Sequence, residues 1–446
     1  MQSDYLNKKQ ALLTYLHQNN ITGPTALQKK TSNLFRNKLS SNNKKLDLSN
    51  FNQVIRIDTQ NNVAEVEGLI TYASLVAETL KYNRLPAVVP ELKTITVGGA
   101  YVGIGIESSA LHYGLVHETI SECEVLLANG SIITCTPENE HKELFFALPN
   151  SYGCFGYVLK LKLKLITTKP YVKLTHLRYH NFQDLFTKLN NICQKNKLIS
   201  AVDYIDGVIF SPTEMYITLG EFVASVPKQN ISNYKYLNIY YQSIRCNNSD
   251  YLTTSDYIWR WDTDWFWCSK IFFLQNPVVR FIFGKFCLNS KTYFKIRALI
   301  NSYPILQRII NYFRAQQEVI VQDVEIPIEN CSKFMEFFTN TIKISPIWVC
   351  PIIPYNANAS YPLYKMQPNK LYINFGFWDT IASNQAPGFY NKLIEAKVTE
   401  LKGNKSLYSD VYYDEPTFWS IYDKDLYEKL KAKYGAKNLF HLCTLG

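Results

Sequence analysis

"TVGGAYVGIGIESS", from Thr96 to Ser109, carries four of the chain's 18 glycines. A run this poor in side chains marks a place where the backbone must come close to something. The dinucleotide fingerprint G-x-G-x-x-G finds its first two glycines in Gly103 and Gly105, but Ser108 stands where a third would follow. A hairpin pattern comes next, not a strand–helix–strand unit, so that reading fails. A phosphate-binding P-loop needs a G-K-[ST] ending, which is missing. The third reading is an anion-binding concavity. Gly98, Gly99, Gly103 and Gly105 clear one wall so that successive N–H groups face a diphosphate, and Ser108 and Ser109 add hydroxyl donors. Glu107 would then bind ribose hydroxyls or fix the loop. A tight connection packed between two sheets, with no ligand, is the alternative.

Working outward, "SDYLNKKQALLTYLHQ" has helical apolar spacing with Ser3 as cap. "QVIRID", "VAEVEG" and "AVVPELKTITVGG" read as strands, and "TYASLVAETLKYN" as a helix capped by Thr71. After the glycine run, Asn129-Gly130 sits between alternating apolar segments, a strong hairpin signal. A short helix, a second small-residue turn from Ser151 to Gly156 and the alternating strand "YVLKLKLKLI" follow; half of that strand should face water. Composition shifts at Lys169-Pro170, which suggests domains at 1–169 and 170–446. The second alternates helix-like "FQDLFTKLNNICQKN" with strands "EMYITLGEFVAS", "VIVQDVEIPI", "IWVCPIIP" and "KLYINFGFW", an α+β pattern with an antiparallel sheet. The tail reads as one helix ending at Gly435.

The bulk properties narrow the function. With 446 residues, two or three domains are expected. Hydrophobic residues at 47% and charged ones at 19% indicate a packed globular chain. The net charge of +10 lacks any long Lys/Arg block, so a solvated basic face is the better reading and nucleic acid is not an expected partner. Ten scattered cysteines without C-x-x-C, and a polar N-terminus, point to a reduced cytoplasmic setting. No His spacing supports a metal site. Trp265–Leu288 is the most apolar stretch, interrupted by Lys270, Arg280 and Lys285. It reads as a buried helix pair, with placement at a membrane interface, a peripheral contact, as the alternative.

The segments from Val63 to Leu174 resemble the FAD-binding PCMH-type (vanillyl-alcohol-oxidase-like) superfamily, and within it the delta(24)-sterol reductase family. The matching features are Thr96–Ser109, then His112-Tyr113-Gly114-Leu115, Ala128-Asn129-Gly130-Ser131 and Cys135-Thr136-Pro137, then "ELFFALPNSYGCFGYVLKLKLKLI". Beyond these the likeness continues in patches such as "IVQDVEIP", "LYINFG" and "YSDVYYDEPTFW". The resemblance implies an α+β fold: a two-subdomain FAD-binding domain, then an α+β substrate (cap) domain, with the C-terminal segment able to return to the first. It implies that Thr96, Val97, Gly98, Gly99, Gly103, Ile104, Gly105, Ile106, Glu107, Ser108 and Ser109 line FAD, with Ser151, Gly153 and Gly156 in a second loop. The first phosphate loop would fall at "KKTSNLFRNK", which has no glycine; Ser32, Asn33 and Arg36 are the contacts on offer. Eukaryotic members carry an N-terminal membrane anchor, and none is expected here. His112 and Cys154 lie where a covalent flavin link could form, but non-covalent FAD is expected.

An enzyme of this family moves a hydride through flavin N5. Reduction of an alkene also needs a proton donor, and oxidation of an alcohol needs a base. Either should come from the second domain. Asp323 and Tyr412 are the catalytic candidates, with Tyr408 beside them. Arg260 and Asp262 would form an ion pair at the pocket edge. The expected enzyme is an FAD-linked oxidoreductase, with NADPH as a candidate electron donor and a bulky sterol- or lipid-like small-molecule substrate. A sugar or polyprenyl-linked sugar alcohol is the alternative substrate. A flavin-free binding protein that keeps the fold is the alternative of another class.

Overall fold

The structure, a computed structural model, describes residues 2–19, 26–28, 45–227, 230–303 and 317–445. Helix α1 (Gln2–Gln18) and a parallel pair, β1 (Ala26–Gln28) and β2 (Lys45–Asp47), open the chain. They are followed by β3 (Val54–Asp58), β4 (Val63–Glu67), α2 (Tyr72–Thr79), β5 (Arg84–Pro86), α3 (Val97–Val102), α4 (Ala110–Tyr113), β6 (Ile120–Leu126), β7 (Ile132–Cys135), α5 (Lys142–Ala147) and β8 (Tyr157–Thr167). Strands β3-β4-β8-β6-β7 pair antiparallel in that order, with β5 added on β8. The expected hairpin at Asn129-Gly130 joins β6 to β7, and Thr71 caps α2 by accepting from the Ser74 N–H.

β8 is the backbone of this sheet. Its leucines at 159, 161, 163 and 165 are all buried, each stabilising by roughly 2 kcal/mol. The alternate lysines do not simply face water. Lys160 reaches Glu124 at 2.7 Å, and α1 lies beside them, its Tyr5 hydroxyl donating to Glu124 at 2.9 Å.

The second sheet begins four residues after β8 ends. It comprises β9 (Tyr171–Tyr179), β10 (Tyr204–Ser211), β11 (Glu214–Val223), β12 (Ser249–Thr253), β13 (Gln317–Pro327), β14 (Ile347–Ile352), β15 (Tyr372–Ala382) and β16 (Asn404–Lys405). All pairs are antiparallel, in the order β12-β9-β11-β10-β14-β15-β13-β16. Between these strands lie α6 (Phe182–Ile199), α7 (Tyr240–Ser243), α8 (Thr254–Ile258), α9 (Pro277–Cys287), α10 (Ser290–Ser302), α11 (Cys331–Phe337) and α12 (Phe389–Glu400). One face is covered by α6, α11 and α12 through Leu185, Phe334, Ile394 and the strand residues Ile320, Val324 and Phe375. The other face turns to the first sheet, and one buried cluster runs from Leu161 and Leu163 to Val208 and Trp348.

Three expectations are corrected. "AVVPELKTITVGG" is not one strand. Thr96 accepts from the Gly99 N–H and starts α3, while the Ala87–Ile95 stretch bends and turns, its Ile95 N–H donating to the Leu92 carbonyl, and lies largely buried against α2 and β8. The tail is two helices, α13 (Glu415–Ile421) and α14 (Lys424–Lys433), because Asp423 caps a fresh N-terminus. α14 packs on the first unit, with Lys431 donating to the Cys154 carbonyl at 3.2 Å. Finally, Trp265–Leu288 is not a buried helix pair. Trp265 and Trp267 are inside, but α9 turns most of its apolar residues outward.

Gly98 allows a close backbone approach in the first unit. Its N–H donates to the Gly68 carbonyl at 2.8 Å, and a Cβ would sit 2.7 Å from that oxygen. Gly98→Ala should therefore destabilise the fold by about 1–3 kcal/mol, read from the urea midpoint. An unchanged midpoint would contradict this packing.

Candidate active site

The glycine run folds back on its own chain before it meets anything else. The N–H groups of Val97, Gly98, Gly99 and Ala100 are taken by Ile70, Gly68 and Thr96. The donors expected to face an anion are therefore not these, but those further along. Among the described residues, the N–H groups of Ile104, Glu107 and Ser108 have no acceptor, although all three residues are buried. Buried N–H groups without partners are rare. Ile104 also holds a φ of 58°, which a β-branched residue adopts only under constraint.

The second loop comes to the same place. Tyr152 donates its N–H to the Val102 carbonyl and its hydroxyl to the Gly103 carbonyl, each at 3.2 Å. Asn150, Tyr152, Gly153 and Gly156 all have positive φ. Ser151 Oγ is buried without a hydrogen-bond partner. The two predicted loops are thus one joined surface whose unpaired donors fit a phosphate-bearing ligand. Gly153 and Gly156 shape its turn. The segment holding Ser32, Asn33 and Arg36 lies outside the described residues.

The far end of the run is clamped to the second sheet. The Ile205 N–H donates to the Ser108 carbonyl at 2.9 Å, and Cys350 Sγ donates to the Glu107 carbonyl at 3.3 Å. Ser109 Oγ donates to the Ala87 carbonyl. Arg260 lies 2.9 Å from Glu107 and 2.8 Å from Asp206, with Glu91 at 3.6 Å. Its guanidinium stacks over Tyr257 at 4.1 Å from the ring centre. Burial, then the Glu107 charge, pushes Glu91 well above the ordinary carboxylate range, with the Arg260 charge opposing. The expected Arg260–Asp262 pair does not form. Arg260 turns to the loop, whereas Asp262 accepts from the Lys93 N–H at 2.8 Å. Successive side chains in that turn diverge.

Above the joined loops stands a cluster of acids and tyrosines. Asp323 and Glu325 alternate on β13, so both face the first unit, opposite Val324 in the helix-covered core. Asp323 accepts from Asn374 Nδ2 at 2.9 Å and bonds to Tyr408. It has room because Gly376 is opposite; a Cβ there would lie 2.6 Å from its Oδ1. The Tyr408 hydroxyl also accepts from Trp378 Nε1 at 2.9 Å. Glu325 accepts from the Tyr364 hydroxyl. Buried Asn150 draws the tyrosines in, since Nδ2 donates to the Leu363 carbonyl at 2.7 Å and Oδ1 accepts from the Leu407 N–H at 3.4 Å. Burial raises Asp323 and pushes Glu325 up to about 8, with the Tyr364 bond opposing. A cleft of ≈ 360 Å³, counted with its open mouth, reaches Tyr364 and is lined also by His117, Glu118 and Tyr361.

Tyr412 stands apart: its ring packs on Gly388 at the start of α12, and its N–H donates to Glu395. His112 is bonded to Val202 and Asn196, and Cys154 is fully buried. Glu325, Tyr364 and Asn150 were not singled out from sequence. The alternation of Asp323 and Glu325 on one strand was the available signal.

Arg260→Met would leave Glu107 and Asp206 buried without their cation. A loss of about 3–5 kcal/mol is expected, measured by chemical unfolding; a loss under about 1 kcal/mol would show that the cluster does not hold the units together.

The family model described as FAD binding domain matches residues 8–136. The delta(24)-sterol reductase of Macaca fascicularis is 28% identical over 409 residues, covering 88% of this chain and 75% of that protein. The human enzyme gives the same values. That of Pisum sativum is 26% identical over 435 residues, covering 89% and 74%. Cytokinin dehydrogenase 1 of Arabidopsis thaliana is 27% identical over 152 residues, 34% of this chain and 26% of its own. Residues 8–136 thus match an FAD-binding domain, and the chain is similar, over most of its length, to the delta(24)-sterol reductases.

Proposed function

We propose that the protein is an FAD-dependent oxidoreductase that reduces a carbon–carbon double bond in a bulky apolar, sterol-like substrate, with NADPH as electron source. The observation that carries this reading is the meeting of Asp323, Glu325, Tyr364 and Tyr408 above the joined glycine loops. The loop donors of Ile104, Glu107, Ser108 and Ser151 would hold the pyrophosphate. FAD, when bound and reduced by NADPH, would supply the hydride. The chain supplies the proton: Tyr364 gives its hydroxyl proton to the substrate carbon, and Glu325, protonated at neutral pH, restores it. Asp323, Tyr408 and Trp378 form the opposite wall. Domains at 1–169 and 170–446 fit this division of labour, with the clamp of Arg260 between them.

A proton donor with a pKa of about 8 is competent below that value and is lost as pH rises through it. Turnover of a sterol alkene should fall above pH ~8. Glu325→Gln should lower kcat by ~10²–10⁴-fold with little change in KM, and remove that limb. A variant with wild-type rate and profile would discard Glu325 as proton source. Failure of the wild type to oxidise NADPH with any sterol alkene would discard the reading itself.

A further inference from the structure

The helix α9 is built in an unusual sense. Its inward anchor is charged and its outward face is apolar. Arg280 is 2% exposed and forms a two-pronged pair with Asp264, at 2.6 and 2.9 Å. It also donates to the carbonyls of Tyr236, Leu274 and Asn238. Asn276 caps the helix start and Gly284 lies buried on the same side as Arg280. The helix is therefore held firmly by one face, and the exposure of the other is not fraying.

That other face presents Val278, Phe281, Ile282 and Phe286, at positions i, i+3, i+4 and i+8, between 56% and 77% exposed. Phe273, in the turn before the helix, is 75% exposed. A contiguous apolar patch of this kind needs an occupant. The charges around it choose one. Between Asp264 and Glu318 there is no acidic residue at all, against eight Lys and Arg. Lys285, within the face, and Lys291 and Lys295, beyond it on α10, are exposed and have no ion-pair partner among the described residues. Phenylalanines with lysines at their edge fit an interface of acyl chains and anionic headgroups. An acidic or polar protein surface would match the lysines but not the phenylalanines.

The patch also adjoins the cluster described above. The segment leading into α9 sends Phe266 against Trp378, with ring centres 4.8 Å apart, and Trp267 Nε1 to the Trp378 carbonyl at 2.8 Å. Lys270 bonds to Asp379 on the same strand. Trp378 in turn bonds to Tyr408. We propose that the outward face of α9, with the lysines of α9 and α10, docks the protein peripherally on an anionic lipid bilayer. Among the described residues no helix is long and apolar enough to cross a membrane.

Vesicle flotation tests the proposal directly. The purified full chain should float with vesicles of phosphatidylcholine and phosphatidylserine and release in high salt, with at least ~10-fold weaker binding to phosphatidylcholine alone. The pair Phe281→Asp and Phe286→Asp should lower binding by ~10-fold or more with an unchanged unfolding midpoint, both sites being exposed. Lys285→Glu with Lys291→Glu should remove the preference for the anionic lipid and leave the fold intact. Wild type that stays with the unbound fraction, or binding that survives the Phe281/Phe286 change, overturns the proposal. So does a dimer that those two changes dissociate in the absence of lipid binding, because the occupant would then be a second copy of the chain.

Discussion

Arg260 is taken out of water entirely, in contact with three carboxylates, and the arrangement of the molecule follows from satisfying it. A guanidinium in such a place is tolerated only with near-complete pairing. Its partners come from different parts of the chain: Glu91 and Glu107 from the first unit, Asp206 from the second sheet. Meeting all three sets the end of the glycine run against β10 and β14, where the Ser108 and Glu107 carbonyls find donors. Once β14 is placed, the ladder to β15 and β13 leaves no freedom, with successive strands about 4.8 Å apart. The positions of Asp323 and Glu325 are consequences of that ladder.

Asn150 performs the same service from the opposite side. It tolerates a positive φ that most residues resist, and its amide ties down the residues that precede Tyr364 and Tyr408. A turn in the first unit thereby positions tyrosines from the second. The result is a buried, acid-rich cluster beside the glycine loops, where burial pushes Glu325 up to about 8. The aromatic wall of Phe266, Trp267 and Trp378 extends that environment towards the outward face of α9.

Much of this was legible from local pattern. The hairpin at Asn129-Gly130, the alternation of β8 and the strands carrying Asp323 and Trp348 follow from periods and turn residues that act within a few positions. The loops at Thr96–Ser109 and Ser151–Gly156 stood out because glycine has few other uses at that density. What escaped was whatever depends on long-range partners. Tyr364 became notable only because Glu325 lies opposite, and Arg260 could not choose Glu107 over Asp262 on sequence spacing alone. The helix start at Val97 was hidden because Val and Thr favour strands, while the capping hydroxyl of Thr96 decided the outcome. α9 misled for a related reason: apolar residues are usually inside, and only the pairing of Arg280 with Asp264 shows which side faces in.

The central claim is that the joined loops hold FAD, and the visible absorbance of the purified protein, before and after acid precipitation, tests it most directly. The account predicts the bands of oxidised flavin on the native protein and their release to the supernatant. A protein that stays colourless even after incubation with added FAD would contradict it.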